Sequence, residues 1–275
     1  MIKNYLLGTD PEVFLKNVIT NTIITAEGII KGSKNNPKKL DREGCAIQLD
    51  NVCFEFNVPP TSNPQNMYDN INYVLNTVTG TLPEGIEIVI IPSATLEDEQ
   101  LKSEHAQTMG CDPSFDAWRQ TINVRPDLSQ NPNLRCAGGH IHIGYENPDV
   151  NTSEQIIKAL DLFLGVPSIL MDTDVERKKL YGKAGEFRFT DYGCEYRVLS
   201  NFWISSREKI NFIFNQVQKA VNFVNAGNVI ETESELGLEI VTAINTQNTE
   251  LAIKIIKSLS VLEENVIKTY ATTIT

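Results

Sequence analysis

The chain has 275 residues, 41% of them apolar and 21% charged, and a formal net charge of −11. An acidic surface of that strength repels phosphate backbones and anionic headgroups, which argues against general nucleic-acid binding and electrostatic docking on a membrane. No apolar run approaches the roughly 18–20 residues of a membrane span, and the length suits one large soluble domain.

The opening MIKNYLLGTDPE has its short apolar run cut by Gly8, Asp10 and Pro11, so it reads as neither a signal peptide nor an anchor. NYLLGTDPEVFLK reads as strand around a polar centre, and ITNTIITAEGII as a hairpin-like pair of β-rich runs. KGSKNNPKKLDREG is a polar, basic loop, and AIQLDNVCFEFNVPP alternates before stopping at two prolines. Ser62, Asn63 and Pro64 open a helix whose buried stripe is Met67, Ile71, Val74 and Val78. IEIVIIP predicts a buried strand. Residues 96–137 hold turn signals without long periodicity and predict loops with short elements.

GGHIHIGY is the next strand. SEQIIKALDLFLG predicts a helix from Ser153, broken around Gly165 and Pro167, with ILMDTDVERKKLYG continuing helically. GEFRFTDYGCEYRVLSNFW holds two strands about Tyr192-Gly193. From Ser205 an amphipathic helix carries Ile210, Phe214, Val217, Val221 and Val224 on its stripe, with Gly227 at its C-terminus. Two more helices follow. Strands first and helices last give an α+β fold with an antiparallel or mixed sheet. Cys45, Cys53, Cys111, Cys136 and Cys194 lie far apart with no CxxC pair, which suits a reducing cytosol rather than a disulfide framework.

The chemistry sits in a repeated pattern. Side chains at i and i+2 share one face of a strand, so His140 and His142 face one way while Ile141 and Ile143 face the other. Asp10 and Glu12, Glu55 and Asn57, Glu186 and Arg188, and Glu195 and Arg197 repeat the arrangement. Alternating polar positions on a strand usually mark a solvated face, but such faces favour Lys, Thr, Ser and Gln over Asp, Glu, His and Arg. If these strands share a sheet, one face gathers carboxylates, imidazoles and guanidiniums. That set suits a divalent cation with arginines for phosphate or carboxylate groups. The HxH pair also fits a zinc hydrolase, in which two histidines and a carboxylate hold a metal-bound water. His105 lacks such context and reads as an exposed helix or loop residue.

In GTDPEVFL, FEFNVPP, GGHIHIG and RKKLYGKAGEFRFTDYGCEYRVLSNFW the sequence resembles the phage-type COOH-NH2 ligases of the carboxylate–amine ligase superfamily. The resemblance spans about residues 8–203 and implies a single ligase domain over 1–275, with a helical C-terminal part from about 205. It implies a curved antiparallel sheet of glutamine synthetase catalytic-domain type, with helices on the outer face, binding ATP with Mg2+ or Mn2+. Members activate a carboxylate as an acyl phosphate, which an amine attacks to give an amide or peptide bond. By motif, Glu12, Glu55, His140 and Glu195 are metal ligands. Asp10 is a second ligand of the first motif or a strand-end partner, since relatives carry two glutamates there. Asn57 is a substrate or ligand contact and His142 a supporting residue. Arg197 steadies phosphoryl charge, and Arg188 takes the γ-phosphate or the carboxylate. A phage origin would place the chain in the host cytoplasm, and a homo-oligomer stays open because some relatives build sites between subunits.

Other residues carry two readings each. Glu186 is a general base for the amine or an ion-pair partner of an arginine. Lys183 and Gly185 form a loop closing over phosphate or a plain surface turn. Arg135 reaches a phosphate or makes a surface salt bridge. Asp112, Asp172 and Asp174 read as turn or cap residues. The competing functions are a zinc-dependent hydrolase and a degenerate ligase fold kept as a binding module.

Overall fold

The computed structural model describes residues 1–107, 114–124 and 127–259. Its main sheet is built from β1 (Leu6–Thr9), β2 (Glu12–Asn17), β3 (Thr22–Ile24), β4 (Lys38–Lys39), β5 (Ala46–Asp50) and β6 (Cys53–Thr61). Helix α1 (Pro64–Thr79) and β7 (Ile86–Val89) follow. β8 (Ser93–Thr95) and β11 (Leu134–Cys136) pair apart from the main sheet. Between them lie the short α2 (Glu104–Gln107), β9 (Phe115–Asp116) and β10 (Thr121–Ile122). β12 (Ile141–Gly144), α3 (Val150–Leu160), a π turn (Asp161–Gly165) and α4 (Val166–Ser168) come next. β13 (Glu186–Thr190), β14 (Gly193–Tyr196), α5 (Arg207–Asn225), α6 (Val229–Thr246) and α7 (Thr249–Ser258) complete the order.

The main path runs β10-β9-β13-β14-β12-β1-β6-β2-β3, with β4 and β5 beside β6 and β7 beside β2. The pairings are antiparallel, so the fold is α+β with a large antiparallel sheet. β1 and β2 are one run interrupted at Asp10-Pro11, and both lie along β6. Register then sets the two faces. Ile141, Tyr196 and Phe187 stand opposite one another on β12, β14 and β13, and the next row is His142, Glu195 and Arg188. The apolar row joins Leu7, Val13, Phe54 and Phe56 in one core, covered by α1, α3 and α5. Burying each such side chain contributes about 1.5–3 kcal/mol, and this fixes register because a one-residue slip would turn the charged row inward.

Several local readings change. α3 starts at Val150, because the Asp149 side chain caps it by accepting from Thr152 N. It then passes through the π turn instead of breaking at Gly165, where a Cβ would meet Ile244 Cδ1 at 2.6 Å and Tyr196 Oη at 2.7 Å. Residues 169–182 are not helical apart from one turn at Arg177–Lys179. There Asp172 accepts from Asp174 N and Asp174 from Arg177 N, and side chains that bond nearby backbone compete with a helix. IEIVIIP gives only the half-buried β7, and of ITNTIITAEGII only β3 is strand. On α5, Ile210, Val217 and Val221 are buried, whereas Phe214 and Val224 are half-buried. α1 matches its reading, with Asn63 capping, Pro64 in the first turn and the stripe Met67, Ile71, Val74 and Val78 buried. His105 is exposed on α2. Cys111 and Asp112 lie outside the described residues.

Candidate active site

The charged row converges. His140 Nδ1 lies 3.5 Å from Asp10 Oδ1 and 3.2 Å from Glu195 Oε1, while His142 Nε2 lies 3.0 Å from Asp10 Oδ1. Glu195 also pairs with Arg197, and with Arg188 at 3.4 Å. Gly8 stands opposite His142 in the register, which leaves room for the imidazole to reach Asp10. The glycine pair of GGHIHIG has a packing reason. A Cβ on Gly138 would lie 2.5 Å from His140 Nε2, and one on Gly139 would lie 2.4 Å from Ser200 O and 2.6 Å from Trp203 Nε1. Trp203 Nε1 donates to Gly139 O at 2.9 Å, locking the histidine strand to the NFW segment.

A second cluster adjoins the first. Glu12 and Glu55 face each other across β2 and β6, and donor atoms of Glu12, Asp50 and Glu55 all lie within 4.8 Å of one another. Gly138 N donates to Glu12 Oε2 at 2.8 Å, and Gln48 Nε2 to Glu55 Oε1 at 2.9 Å. Asp10, His142 and Glu195 form a further set within the same limit.

The electrostatics differ between the two. Burial, followed by the charge of Asp50, pushes Glu12 up to about 7. Burial, then Asp10 and Asp50, raise Glu55 well above the usual carboxylate range. Like charges gathered in a half-buried site are costly, and a cation between them removes that cost. The three-carboxylate set therefore fits Mg2+, and the set containing a nitrogen is better suited to Mn2+. In the other cluster, burial pushes Asp10 up, but the charge of His142 and hydrogen bonds from both imidazoles hold it well below the usual range. For Glu195 burial is likewise outweighed, by the His140 bond and Arg197, which bring it to about 2. Burial and Arg197 oppose protonation of His140, yet its bonds to Asp10 and Glu195 raise it to about 9.

Two grooves flank the histidine strand. One, a narrow pocket of about 50 Å³, is lined by Glu12, Asp50, His140, Arg177 and Arg197 among others. The other, about 550 Å³, meets His142 and Tyr192 and is walled by Leu6, Val58 and Pro60.

Of the residues singled out from sequence, Asp10, Glu12, Glu55, His140, Glu195, Arg188 and Arg197 are brought together. Asn57 lies on the second groove. Glu186 has both oxygens engaged, by Gly182 N at 2.7 Å and Ser114 Oγ at 3.2 Å, with Arg197 Nε at 4.0 Å. Lys183 is exposed, and its loop is tied down by Gly182 N on Glu186, Ala184 N on Asn245 and Gly185 N on Asp161. Arg135 is not a surface salt bridge, and it lines the narrow pocket beside His140. It is buried, and its guanidinium donates to Asn51 Oδ1 and to the carbonyls of Ala106, Pro132 and Leu134.

Asp50 went unnoticed, although Gln48 and Asp50 in AIQLD show the same i, i+2 pattern. Asp161 gave no signal. It sits beyond the stripe of α3, where it accepts from Trp118 Nε1 at 2.6 Å, Gly185 N at 2.6 Å and Tyr196 Oη at 2.8 Å. Burial, offset in part by these bonds, pushes it up to about 7. It thereby fixes the sheet face behind Glu195.

Residues 129–237 match the family model of the phage phiEco32-like COOH-NH2 ligases, type 2. The resemblance to that ligase family holds. The matched stretch carries the histidine strand and the β13–β14 hairpin, so it includes His140, His142, Arg188, Glu195 and Arg197. The GTDPE and FEFN motifs lie before it, and the sheet brings them against the matched stretch. A bifunctional glutathione synthetase from Pasteurella multocida is similar in structure with a TM-score of 0.46 and 10% identity, over 93% of this chain and 49% of that one. The chain thus spans about half the length of that protein. No curated protein matches the sequence. Among the described residues, no helix is long and apolar enough to cross a membrane.

Proposed function

We propose that the chain is a single-domain, ATP-dependent carboxylate–amine ligase on a glutamine synthetase-like sheet. The observation that carries the reading is one polar sheet face on which two carboxylate-rich cation positions adjoin Arg188 and Arg197. Glu12, Asp50 and Glu55 would hold one cation, and Asp10, His142 and Glu195 the other. His140 is then less a ligand than a brace, holding Asp10 and Glu195 through Nδ1. Bound Mg2+ or Mn2+ would neutralise triphosphate charge and draw it to the carboxylates.

In the reaction a substrate carboxylate oxygen takes the γ-phosphoryl group and ADP leaves. The amine nitrogen then attacks the carbonyl carbon, phosphate leaves with the bonding pair, and the nitrogen gives up a proton to form the amide. Arg188 and Arg197 stabilise charge on the transferred phosphoryl oxygens. Glu186 is poorly placed as general base because Gly182 N and Ser114 Oγ occupy its oxygens. Small-molecule or peptide acids and amines suit the two grooves as substrates, and a phage origin would put the reaction in a host cytoplasm. A zinc hydrolase is disfavoured, since such a site has no use for the two arginines, Arg188 and Arg197, that flank Glu195 here.

Calorimetry with ATP and Mg2+ or Mn2+ tests the reading. The expected result is cation-dependent binding that is lost in Glu195→Ala and Asp50→Asn, followed by ADP release with a suitable acid and amine. No binding at millimolar ATP would leave a binding module as the better description.

A further inference from the structure

We infer that Tyr192 is a positioning residue that sets the imidazole of His142 so that Nε2 can serve the cation position shared with Asp10 and Glu195. The inference rests on that cluster holding a cation and not on the ligation chemistry. The Tyr192 hydroxyl lies 2.5 Å from His142 Nδ1, and the opposite ring nitrogen, Nε2, lies 3.0 Å from Asp10 Oδ1. The two rings stand 5.9 Å apart at 38°. His142 is thus held at both ends, and the line through its nitrogens runs from the apolar groove to the carboxylates.

The backbone aims the phenol. Tyr192 sits in the turn between β13 and β14, and its carbonyl accepts from Tyr145 N at 2.9 Å. The next residue, Gly193, has φ +148°, and a Cβ there would lie 2.0 Å from Ile143 O. Only glycine lets the turn lie this close to β12. Gly144, on the facing strand, leaves space below the ring, its added Cβ falling 3.9 Å from Tyr192 Cδ2. Tyr192 itself is 42% exposed, so its ring is not a core side chain whose burial explains its place.

A phenol is suited to this position because it can donate or accept. Without a cation, the phenol shares a hydrogen bond with Nδ1, and Nε2 lies against Asp10 Oδ1 with no hydrogen bond between them. With a cation, Nε2 must offer its lone pair, so any proton on Nε2 leaves to solvent and the ring keeps its proton on Nδ1. Nδ1–H then donates to the phenol oxygen, whose own proton turns to solvent. Both states keep the ring oriented. Outer partners of this kind typically change metal affinity by about 10–100-fold when removed.

The test uses wild type and Tyr192→Phe, which keeps the ring, without nucleotide or amine. Mn2+ affinity is measured by electron paramagnetic resonance, and nitrogen-15 imidazole spectra are recorded with and without Mg2+. With three histidines in the chain, His142 is assigned by a single substitution. The expected result is a loss of about tenfold in Mn2+ affinity at unchanged melting temperature. Cation loading of wild type should also leave His142 protonated on Nδ1 alone. Equal Mn2+ affinity in Tyr192→Phe, or His142 shifts that ignore the cation, would overturn the inference. Because ATP is absent from the assay, failure of the ligase reading would leave either result standing.

Discussion

Replacing Asp50 by Asn should stabilise the cation-free protein and weaken it as a cation binder, two effects of opposite sign from one charge. Asp50 lies within 4.8 Å of Glu12 and Glu55 donor atoms and helps raise the pKa of both. Two full charges at 4.8 Å repel by about 3.5 kcal/mol at an effective dielectric of about 20. The three side chains are half-buried and Glu12 is partly protonated near neutrality, so solvent and protons reduce this to roughly 1–2 kcal/mol. For a chain of this size that is a rise of roughly 2–8 °C in melting temperature. The assay is thermal unfolding of wild type and Asp50→Asn, first in chelator and then across a Mn2+ titration. In chelator the variant should melt higher, and with Mn2+ the wild type should overtake it. If Asp50→Asn melts lower in chelator, or gains as much from Mn2+ as wild type does, the carboxylates do not form a cation site held under mutual repulsion.

The pH response follows from the same groups. Glu12, at about 7 in the fold against 4.5, and His140, at about 9 against 6.5, both bind more protons folded than unfolded. Stability of the cation-free protein should therefore fall as pH rises from 5 to 7, while Mn2+ affinity rises over the same range; melts and titrations at several pH values check both signs. Asp161→Asn places an amide against the donors Trp118 Nε1, Gly185 N and Tyr196 Oη. It should cost about 3 kcal/mol, or roughly 6–12 °C, whether or not Mn2+ is present; a variant melting like wild type would refute the role given to Asp161. Gly138→Ala and Gly139→Ala should separate binding from stability. The first meets the His140 imidazole and should reduce Mn2+ affinity about tenfold. The second meets the Ser200 carbonyl and Trp203 and should lower the melting temperature far more than the first.

The sequence by itself determined the α+β class, the α1 stripe and the two faces of the histidine strand, because period-2 and period-3.6 patterns are local consequences of backbone geometry. It also marked Asp10, Glu12, Glu55, His140, Glu195, Arg188 and Arg197, since charged residues alternating with apolar ones on strands are chemically conspicuous. Where the local signal was ambiguous, as in ILMDTDVERKKLYG, it misled: aspartates bonding nearby backbone prevented a helix that the composition allowed. What only the tertiary structure decided was which groups meet. Asp50 joins Glu12 through the shared strand β6, and Tyr192 reaches His142 across 50 residues of chain. Arg135 is buried and donates to loop carbonyls where a surface ion pair was one reading. Strand order and register set those distances, and they arise from burying the far face of the sheet, which no local pattern around a charged residue records.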